Sequence, residues 1–272
     1  MPDNFVGGLD FGTSGARISI INLHEEIVYS NSVPYEYSFK NPNSWISSCE
    51  KLLDGLPIKV KSNLIKLAIS GTSGTLIASN LKGEPLGEAI PYDQACNENK
   101  ILIESLAFEE NHLQTPYSSL AKALKLIDKY GTNILLRHQS DWITGWFLKD
   151  WTYGEEGNNL KLGWDLIKEC WPKSYQNTSW QKCLPKIIKS GKILGRVNSV
   201  LAESFNLNKE LFIISGTTDS NASLIAAGLS KDDGLTVLGT TIVVKKIVDN
   251  PIKEKGITTH RVSGNWICGG AS

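Results

Sequence analysis

The sequence predicts an α/β protein in which a mixed sheet is flanked by helices. Three short apolar strands follow one another at the N-terminus, and strands and amphipathic helices then alternate along the chain. The first two strands are joined by a short turn with no room for a crossover helix, so we expect them to pair antiparallel. At 272 residues the chain is long enough for one large domain or two ordinary ones.

The individual elements follow from apolar periodicity and from Gly and Pro positions. We predict strands at Phe5–Asp10, Ala16–Asn22, Ile27–Val33, Leu64–Ser70, Thr75–Asn80, Asn133–Leu136, Leu211–Ser215, Leu235–Leu238, Ile242–Val248 and Trp266–Cys268. We predict helices at about Asn43–Leu53, Ser118–Tyr130, Ser140–Leu148 and Ser220–Ala227. The segment 151–164 is polar and predicts a loop, and further helices are predicted between about 164 and 206, interrupted by proline and glycine.

Charge and cysteine content limit the function classes. Lys plus Arg equals Asp plus Glu, 28 against 28, which gives no electrostatic reason to expect nucleic acid or an anionic membrane as partner. The five cysteines are scattered and form no CxxC pair, so neither a disulfide framework nor a zinc site is expected. No apolar run approaches the ~20 residues that span a bilayer, and no signal peptide is evident. We therefore expect a cytoplasmic protein.

Three glycine–hydroxyl turns repeat one chemistry, and each follows a short apolar strand. They are Asp10–Gly15, Gly216–Asp219 and Gly239–Thr241. Glycine lets the backbone approach a ligand closely, and successive amides and hydroxyls then form a donor surface suited to phosphate oxygens. A single turn of this kind is most often an ordinary hairpin turn, but three of them predict a polyphosphate site. There is no GxxxxGK[ST] and no GxGxxG after a first strand, which argues against a P-loop or a Rossmann site.

Two aspartates accompany these turns. Asp10 ends the first strand, where its carboxylate is suited to hydrated Mg²⁺, although an Asp accepting turn amides is the alternative. Asp219 lies at the start of a helix, where a carboxylate stays ionised and can accept a proton from a substrate hydroxyl. The alternative for Asp219 is a plain helix cap.

Several segments resemble the FGGY carbohydrate kinases. The stretch Gly8–Arg17 resembles the first phosphate segment of that family, Ser215–Ala222 its catalytic-aspartate segment and Leu238–Thr241 its second phosphate turn. Asn158–Asp165 resembles its NxLKLGYD-type stretch, and Leu184-Pro185 with two later glycines resembles the segment before the domain crossover. The resemblance extends over essentially the whole chain, in the same order.

The resemblance implies an actin-like ATPase (ribonuclease H-like) fold with a mixed five-stranded sheet flanked by helices. Residues 1–210 would form the sugar-side domain, and residues 211–272 would begin an incomplete ATP-side domain. It implies an ATP-dependent sugar kinase with ATP and Mg²⁺ as cofactors, and a small-molecule sugar as its further partner. Asp219 would be the catalytic base and Asp10 the metal ligand, and the phosphates would be held by Gly12, Thr13, Ser14, Gly239, Thr240 and Thr241.

The sugar is predicted from two further segments. Ile69–Thr75 and Pro91–Cys96 resemble the cyanobacterial and plastid branch of D-ribulose (xylulose kinase-like) kinases, so we expect Ser73 and Asp93 to bind a pentulose together with Asp219. D-Ribulose, converted to D-ribulose 5-phosphate, is the expected substrate, and D-xylulose is the alternative. Turn-capping and solvated-loop roles remain open for Ser73 and Asp93. A sugar-stacking role or simple packing remains open for Trp142, Trp146 and Trp151.

Two other function classes remain open. One is a truncated, non-catalytic sugar-binding or regulatory protein, and the other is a different actin-like ATPase such as a chaperone or a filament-forming protein.

Overall fold

The structure is a computed structural model. It describes residues 4–107, 111–228, 230–231, 233–238, 242–252, 254 and 256–271. The strands are β1 Phe5–Phe11, β2 Gly15–Asn22, β3 Ile27–Pro34, β4 Leu64–Gly71, β5 Leu76–Ser79, β6 Leu135–His138, β7 Tyr153–Glu155, β8 Lys186–Ile188, β9 Ile193–Arg196, β10 Phe212–Ile214, β11 Gly234–Leu238, β12 Ile242–Val248, β13 Thr258–Val262 and β14 Asn265–Ala271. The α-helices are α1 Pro42–Asp54, α2 Ile58–Asn63, α3 Lys100–Leu106, α4 Ser119–Tyr130, α5 Gln139–Leu148, α6 Glu156–Asn159, α7 Ser199–Ser204 and α8 Asp219–Ala226.

The main sheet is mixed and has six strands in the order β3-β2-β1-β4-β10-β9. The hairpin strands β1, β2 and β3 pair antiparallel, as their short connections require, whereas β4 pairs parallel with both β1 and β10. The sheet therefore has one strand more than the five predicted, because β9 adds antiparallel to the outer edge of β10.

The core of this sheet follows from the alternation of its first strands. In β1, Phe5, Gly7, Leu9 and Phe11 are buried, and the alternate residues Val6, Gly8 and Asp10 are more exposed. The helix α1 packs on β2 and β3, and α5 packs on β4. The two helices meet where Trp142 contacts Trp45 edge-on, with ring centroids 5.9 Å apart.

The helix ends use local signals that the sequence contains. Asn41 caps α1 by accepting a hydrogen bond from the amide of Asn43, and Ser118 caps α4 by accepting one from Ala121. The helix α4 ends at Gly131, whose φ of +74° is readily adopted only by glycine. With β5 and β6, α4 encloses a second apolar core.

A separate four-stranded antiparallel sheet has the order β11-β12-β14-β13. Its apolar core is small and contains Leu224 of α8, so this sheet packs against that helix.

Three predictions about the later chain differ from the structure. Residues 151–164 contain β7 and α6 in addition to loop. Residues 164–206 contain one short α-helix, α7, together with 3-10 turns and two strands, instead of the predicted helices. The strand β10 lies in the first sheet, so the passage from one sheet to the other comes after Ile214 and not before residue 211. The division into two domains itself stays a prediction.

Candidate functional site

The ends of three neighbouring strands place the candidate site. Asp10 in β1 lies beside Ser70 in β4, whose hydroxyl donates to the Asp10 carboxylate at 3.0 Å. Immediately beyond, Gly71 forms a parallel bridge with Thr218. A Cβ atom at Gly216 would lie 1.8 Å from the carbonyl oxygen of Ile69, so only glycine allows this close approach. Segments that are about 200 residues apart in sequence therefore meet at one edge of the sheet.

The first glycine turn joins β1 to β2. The Gly12 amide donates to the Gly15 carbonyl at 3.0 Å, and Thr13 and Ser14 lie exposed at its tip. The Tyr35 hydroxyl donates to the Gly12 carbonyl at 2.8 Å, and burial raises the pKa of this hydroxyl, so it stays protonated as a donor. Tyr35 therefore anchors the backbone of the turn, while Thr13 and Ser14 remain exposed to solvent.

Asp219 is the first residue of α8. Its carboxylate accepts a hydrogen bond from the Ser220 amide at 2.7 Å, and Thr218 caps the helix instead. Burial raises the pKa of Asp219, the Ser220 bond opposes this, and the negative charge of Asp10 raises it further. The two predicted carboxylates therefore lie at neighbouring strand ends where their charges interact, and the region between them is named the Asp10–Asp219 cleft.

Two lysines that were not predicted from the sequence add positive charge to this cleft. Lys161 donates to the Ser73 carbonyl at 3.1 Å, and Lys245 donates to the Asn221 side chain at 3.0 Å. Burial lowers the pKa of both, that of Lys245 to about 8, and in each case the Asp219 carboxylate acts in the opposite direction. Lys161 lies in the segment 158–165, which resembles a stretch of the FGGY family. Nothing in the local sequence around Lys245 indicates a functional role beyond its place in a strand.

The predicted sugar residues lie on the Lys161 side of the cleft. Ser73 belongs to the turn after β4, and its neighbour Thr72 is held by the Gln139 carboxamide at 2.8 Å. Asp93 is exposed, and its charge acts on the buried Lys122, which in turn interacts with Lys161. Ser73 therefore contacts Lys161 directly, whereas Asp93 is connected to Lys161 only through the charge of Lys122.

Not every predicted residue meets at this site. Gly239, Thr240 and Thr241 lie outside the described residues. Trp142 and Trp146 are buried among packed side chains, and with Trp151 they line a groove that shares no residue with the Asp10–Asp219 cleft. Their positions favour the packing interpretation.

The residues present fit MgATP. Mg²⁺ prefers a few carboxylates plus phosphate oxygens and water, so it does not need a full protein cage. The Asp10 carboxylate is accessible, and in the part of the chain that the structure describes there is no cluster of three or more His, Cys, Asp or Glu side chains able to hold a metal. The exposed turn at Thr13 and Ser14 offers hydroxyls and amides for phosphate oxygens.

The known proteins similar to this chain include sugar kinases. No protein-family model matches the chain. A xylulose kinase from Lactococcus lactis is 24% identical over 267 residues, covering 88% of this chain and 52% of the relative. A ribulokinase from Staphylococcus aureus is 19% identical over 287 residues, covering 86% of this chain and 52% of the relative. The chain therefore spans about half the length of these curated relatives.

Two solved structures share the fold. The crystal structure of xylulose kinase from Rhodospirillum rubrum superposes with a TM-score of 0.85 at 19% identity, covering 98% of this chain and 60% of that one. That of Plasmodium falciparum glycerol kinase with ADP gives 0.81 at 17% identity, covering 99% and 61%.

The fold is thus that of the actin-like ATPases, as the sequence predicts. By sequence the chain is similar, at low identity, to curated xylulose kinases and ribulokinases. No helix in the described ranges is long and apolar enough to cross a bilayer.

Proposed function

We propose that this chain supplies the sugar site and the first phosphate site of an ATP-dependent sugar kinase. The observation that carries the proposal is the convergence of Asp10 and Asp219, from distant parts of the chain, at one strand edge. One carboxylate beside an exposed glycine turn and a second one facing two lysines is the arrangement that phosphoryl transfer needs.

In this proposal Asp219 accepts the proton of the sugar hydroxyl. The hydroxyl oxygen then forms the new P–O bond to the γ-phosphorus, while the bond from that phosphorus to the departing ADP oxygen breaks. Asp10 would hold Mg²⁺, which supplies charge neutralisation on the phosphates when bound. Thr13 and Ser14 would bind phosphate oxygens, together with residues 239–241. Lys161 and Lys245 would offset negative charge near Asp219.

The proposed substrate is a pentulose. D-Ribulose is preferred because Thr72, Ser73 and Gly74 are all small, whereas xylulose kinases of the family usually carry Gln-Met-His there. Ser73 and Asp93 would accept or donate hydrogen bonds to sugar hydroxyls. D-Xylulose is kept as the second candidate because relatives named xylulose kinase are among the matches. Assignment to the cyanobacterial and plastid branch and the cytoplasmic location belong to the same proposal.

The deciding experiment measures ADP release from MgATP with D-ribulose, D-xylulose, ribitol and glycerol, and sugar binding by calorimetry. Asp219→Asn is expected to lower kcat by at least about 10²-fold, since it removes the base, while sugar binding persists. Asp54→Asn makes the same charge change at an exposed site and serves as control. Most activity remaining in Asp219→Asn would show that the base assignment is wrong. Sugar binding with no nucleotide binding or turnover in the unsubstituted chain would favour the non-catalytic class.

A further inference from the structure

An open groove of about 920 Å³ carries an excess of positive charge. It lies between the C-terminal end of α5, the turn around Gly83 and the segment 182–186, and none of its lining residues belongs to the Asp10–Asp219 cleft. Its charged lining residues are five cations, Lys82, Arg137, Lys149, Lys182 and Lys186, and two acids, Glu84 and Asp150. This excess contrasts with the zero net charge of the whole chain.

Arg137 is the buried member of this set, with 2% of its surface exposed. Its Nε donates to the Trp151 carbonyl, and its Nη1 donates to the carbonyls of Leu136 and Cys183. These partners are all neutral, and Nη2 donates to no residue that the structure describes. The charges of Asp141 and Asp150 act on the guanidinium, but within the described residues neither acid forms an ion pair with it. A buried guanidinium without a paired anion is costly, which points to an anion supplied from outside the chain.

The exposed charges of the groove are arranged to support such an anion. Within the described residues, none of the four lysines forms an ion pair, and Lys149 lies 5.3 Å over the ring of Trp146. The two acids are already engaged. Asn80 donates to Glu84 at 2.6 Å, and the Thr152 hydroxyl donates to Asp150 at 2.6 Å. These donors are neutral, so both acids keep their charge, and five cations against two acids leave a net charge of +3 along the groove.

We propose that this groove binds a small phosphate-bearing molecule, with Arg137 Nη2 at its buried end and Lys149, Lys182 and Lys186 at its rim. Guanidinium and ammonium donors together are the usual protein groups for phosphate oxygens, and the volume falls within the ~300–1,000 Å³ of small-molecule sites. A neutral sugar fits less well, because Trp142 and Trp146 are 3% and 8% exposed and offer little free ring face for stacking. This proposal does not depend on the proposed kinase function.

The test is titration with inorganic phosphate and with glycerol 3-phosphate at constant ionic strength, followed by calorimetry and tryptophan fluorescence. We expect saturable binding of both ligands, because the phosphate group is what they share. Replacing Lys149, Lys182 and Lys186 together by Gln should weaken binding at least about tenfold without lowering Tm. The matched control replaces Lys66, Lys173 and Lys246, exposed lysines outside the groove, by Gln and should leave binding unchanged.

Saturating MgATP separates this groove from the cleft. Phosphate binding that persists with MgATP present, and that the groove substitutions abolish, supports the proposal. Binding that MgATP displaces, or that survives the three groove substitutions, overturns it, and so does the absence of saturable binding. Arg137→Lys retains a cation but loses Nη2, so it should weaken binding where circular dichroism shows a native fold. If that variant unfolds, the lysine variant decides the question alone.

Discussion

Asp141 and Glu155 are buried carboxyl groups whose ionisation the fold opposes. Asp141 accepts hydrogen bonds from the Glu155 amide at 3.0 Å and from the Asn159 side chain at 3.1 Å, yet burial raises its pKa to about 7. Arg137 opposes this rise, and His138 beside it stays neutral because burial lowers its pKa to about 3. Burial also raises the pKa of Glu155 well above its ordinary value. At a pH between its unfolded and folded pKa values, each acid is therefore protonated in the folded chain and ionised in the unfolded chain.

The stability of the chain should depend on pH through Asp141. Between about pH 4 and 7 the folded state binds more protons at this site than the unfolded state, so its contribution is complete below pH 4 and is lost as pH rises towards 7. Asp141→Asn cannot ionise, so its Tm relative to the unsubstituted chain should rise between pH 5 and pH 8. The difference in unfolding free energy between pH 5 and pH 8 should be at most on the order of 3 kcal/mol, because about two pKa units of the shift lie above pH 5.

Thermal unfolding followed by circular dichroism measures this difference, with Asp54→Asn as the exposed control. Lost hydrogen bonds in Asp141→Asn shift Tm equally at every pH, so the slope with pH is the quantity to compare. A Tm difference that stays constant from pH 5 to 8 would mean that Asp141 ionises normally in the folded chain.

The candidate site is only partly predictable at the residue scale. Asp10 and Asp219 were predicted because a carboxylate beside a glycine turn at a strand end is a local pattern. Lys161 and Lys245 were not, because their partners Ser73 and Asn221 are 88 and 24 residues away in sequence. Lysine is usually exposed, so burial of a lysine beside an aspartate follows from tertiary packing and not from spacing.

Among the strands and helices too, those determined by local sequence were predicted, and those determined by tertiary packing were not. The three N-terminal strands were predicted because alternation and short turns are local, and the helices α1 and α4 because their caps are local. Residues 164–198 were wrongly predicted as helical. Trp164, Trp171, Tyr175 and Trp180 there form a chain of ring contacts with centroids 4.8–6.4 Å apart, in a segment of turns that proline interrupts. Aromatic packing stabilises irregular backbone there, and sequence periodicity does not reveal it.

The position of β10 against β4 depends on one glycine at its end. Gly216→Ala places a methyl group 1.8 Å from the Ile69 carbonyl oxygen, and its three nearest atoms all belong to the Ile69 backbone, so the strands must separate. We expect a loss of about 1–3 kcal/mol or more in unfolding free energy, and weaker sugar binding because Asp219 moves with the strand end. Urea unfolding and sugar calorimetry measure the two effects.

Gly8→Ala is the matched control, because nothing lies within 4 Å of its added Cβ atom. Its unfolding free energy should equal or slightly exceed that of the unsubstituted chain, since Gly in a strand costs conformational entropy. Equal stability of Gly216→Ala and Gly8→Ala would show that the close approach at Gly216 does not hold β10 in place.

On the scale of the whole molecule, one arginine connects the second sheet to the first part of the chain. Arg261 in β13 donates to both oxygens of Glu156 in α6, at 3.1 and 2.7 Å, and also to Glu169 at 2.8 Å. The Glu156 side chain is 2% exposed and that of Arg261 is 14% exposed, so this ion pair is largely shielded from water. Because α6 follows the buried Glu155 and precedes Lys161, the contact links the second sheet to one wall of the cleft.

Removing Arg261 should therefore be far more costly than removing a surface arginine. Arg261→Gln leaves the Glu156 charge buried without its partner, and we expect a loss of about 3–5 kcal/mol in unfolding free energy. Arg196, whose pair with Glu210 is more than half exposed on both sides, should lose about 1 kcal/mol or less when changed to Gln. Urea denaturation of the two variants gives this comparison directly.

The double variant Arg261→Gln/Glu156→Gln distinguishes the cost of an unpaired buried charge from the cost of a lost packing contact. If the cost arises from an unpaired carboxylate, neutralising Glu156 should recover most of the lost stability, because two amides of similar shape remain hydrogen-bonded without charge. A double variant as unstable as Arg261→Gln would instead assign the cost to packing of the arginine over Trp266, whose ring lies 5.2 Å from the guanidinium. Sugar calorimetry on the same variants then tests the link to the cleft, because loosening α6 should weaken sugar binding only if α6 positions Lys161.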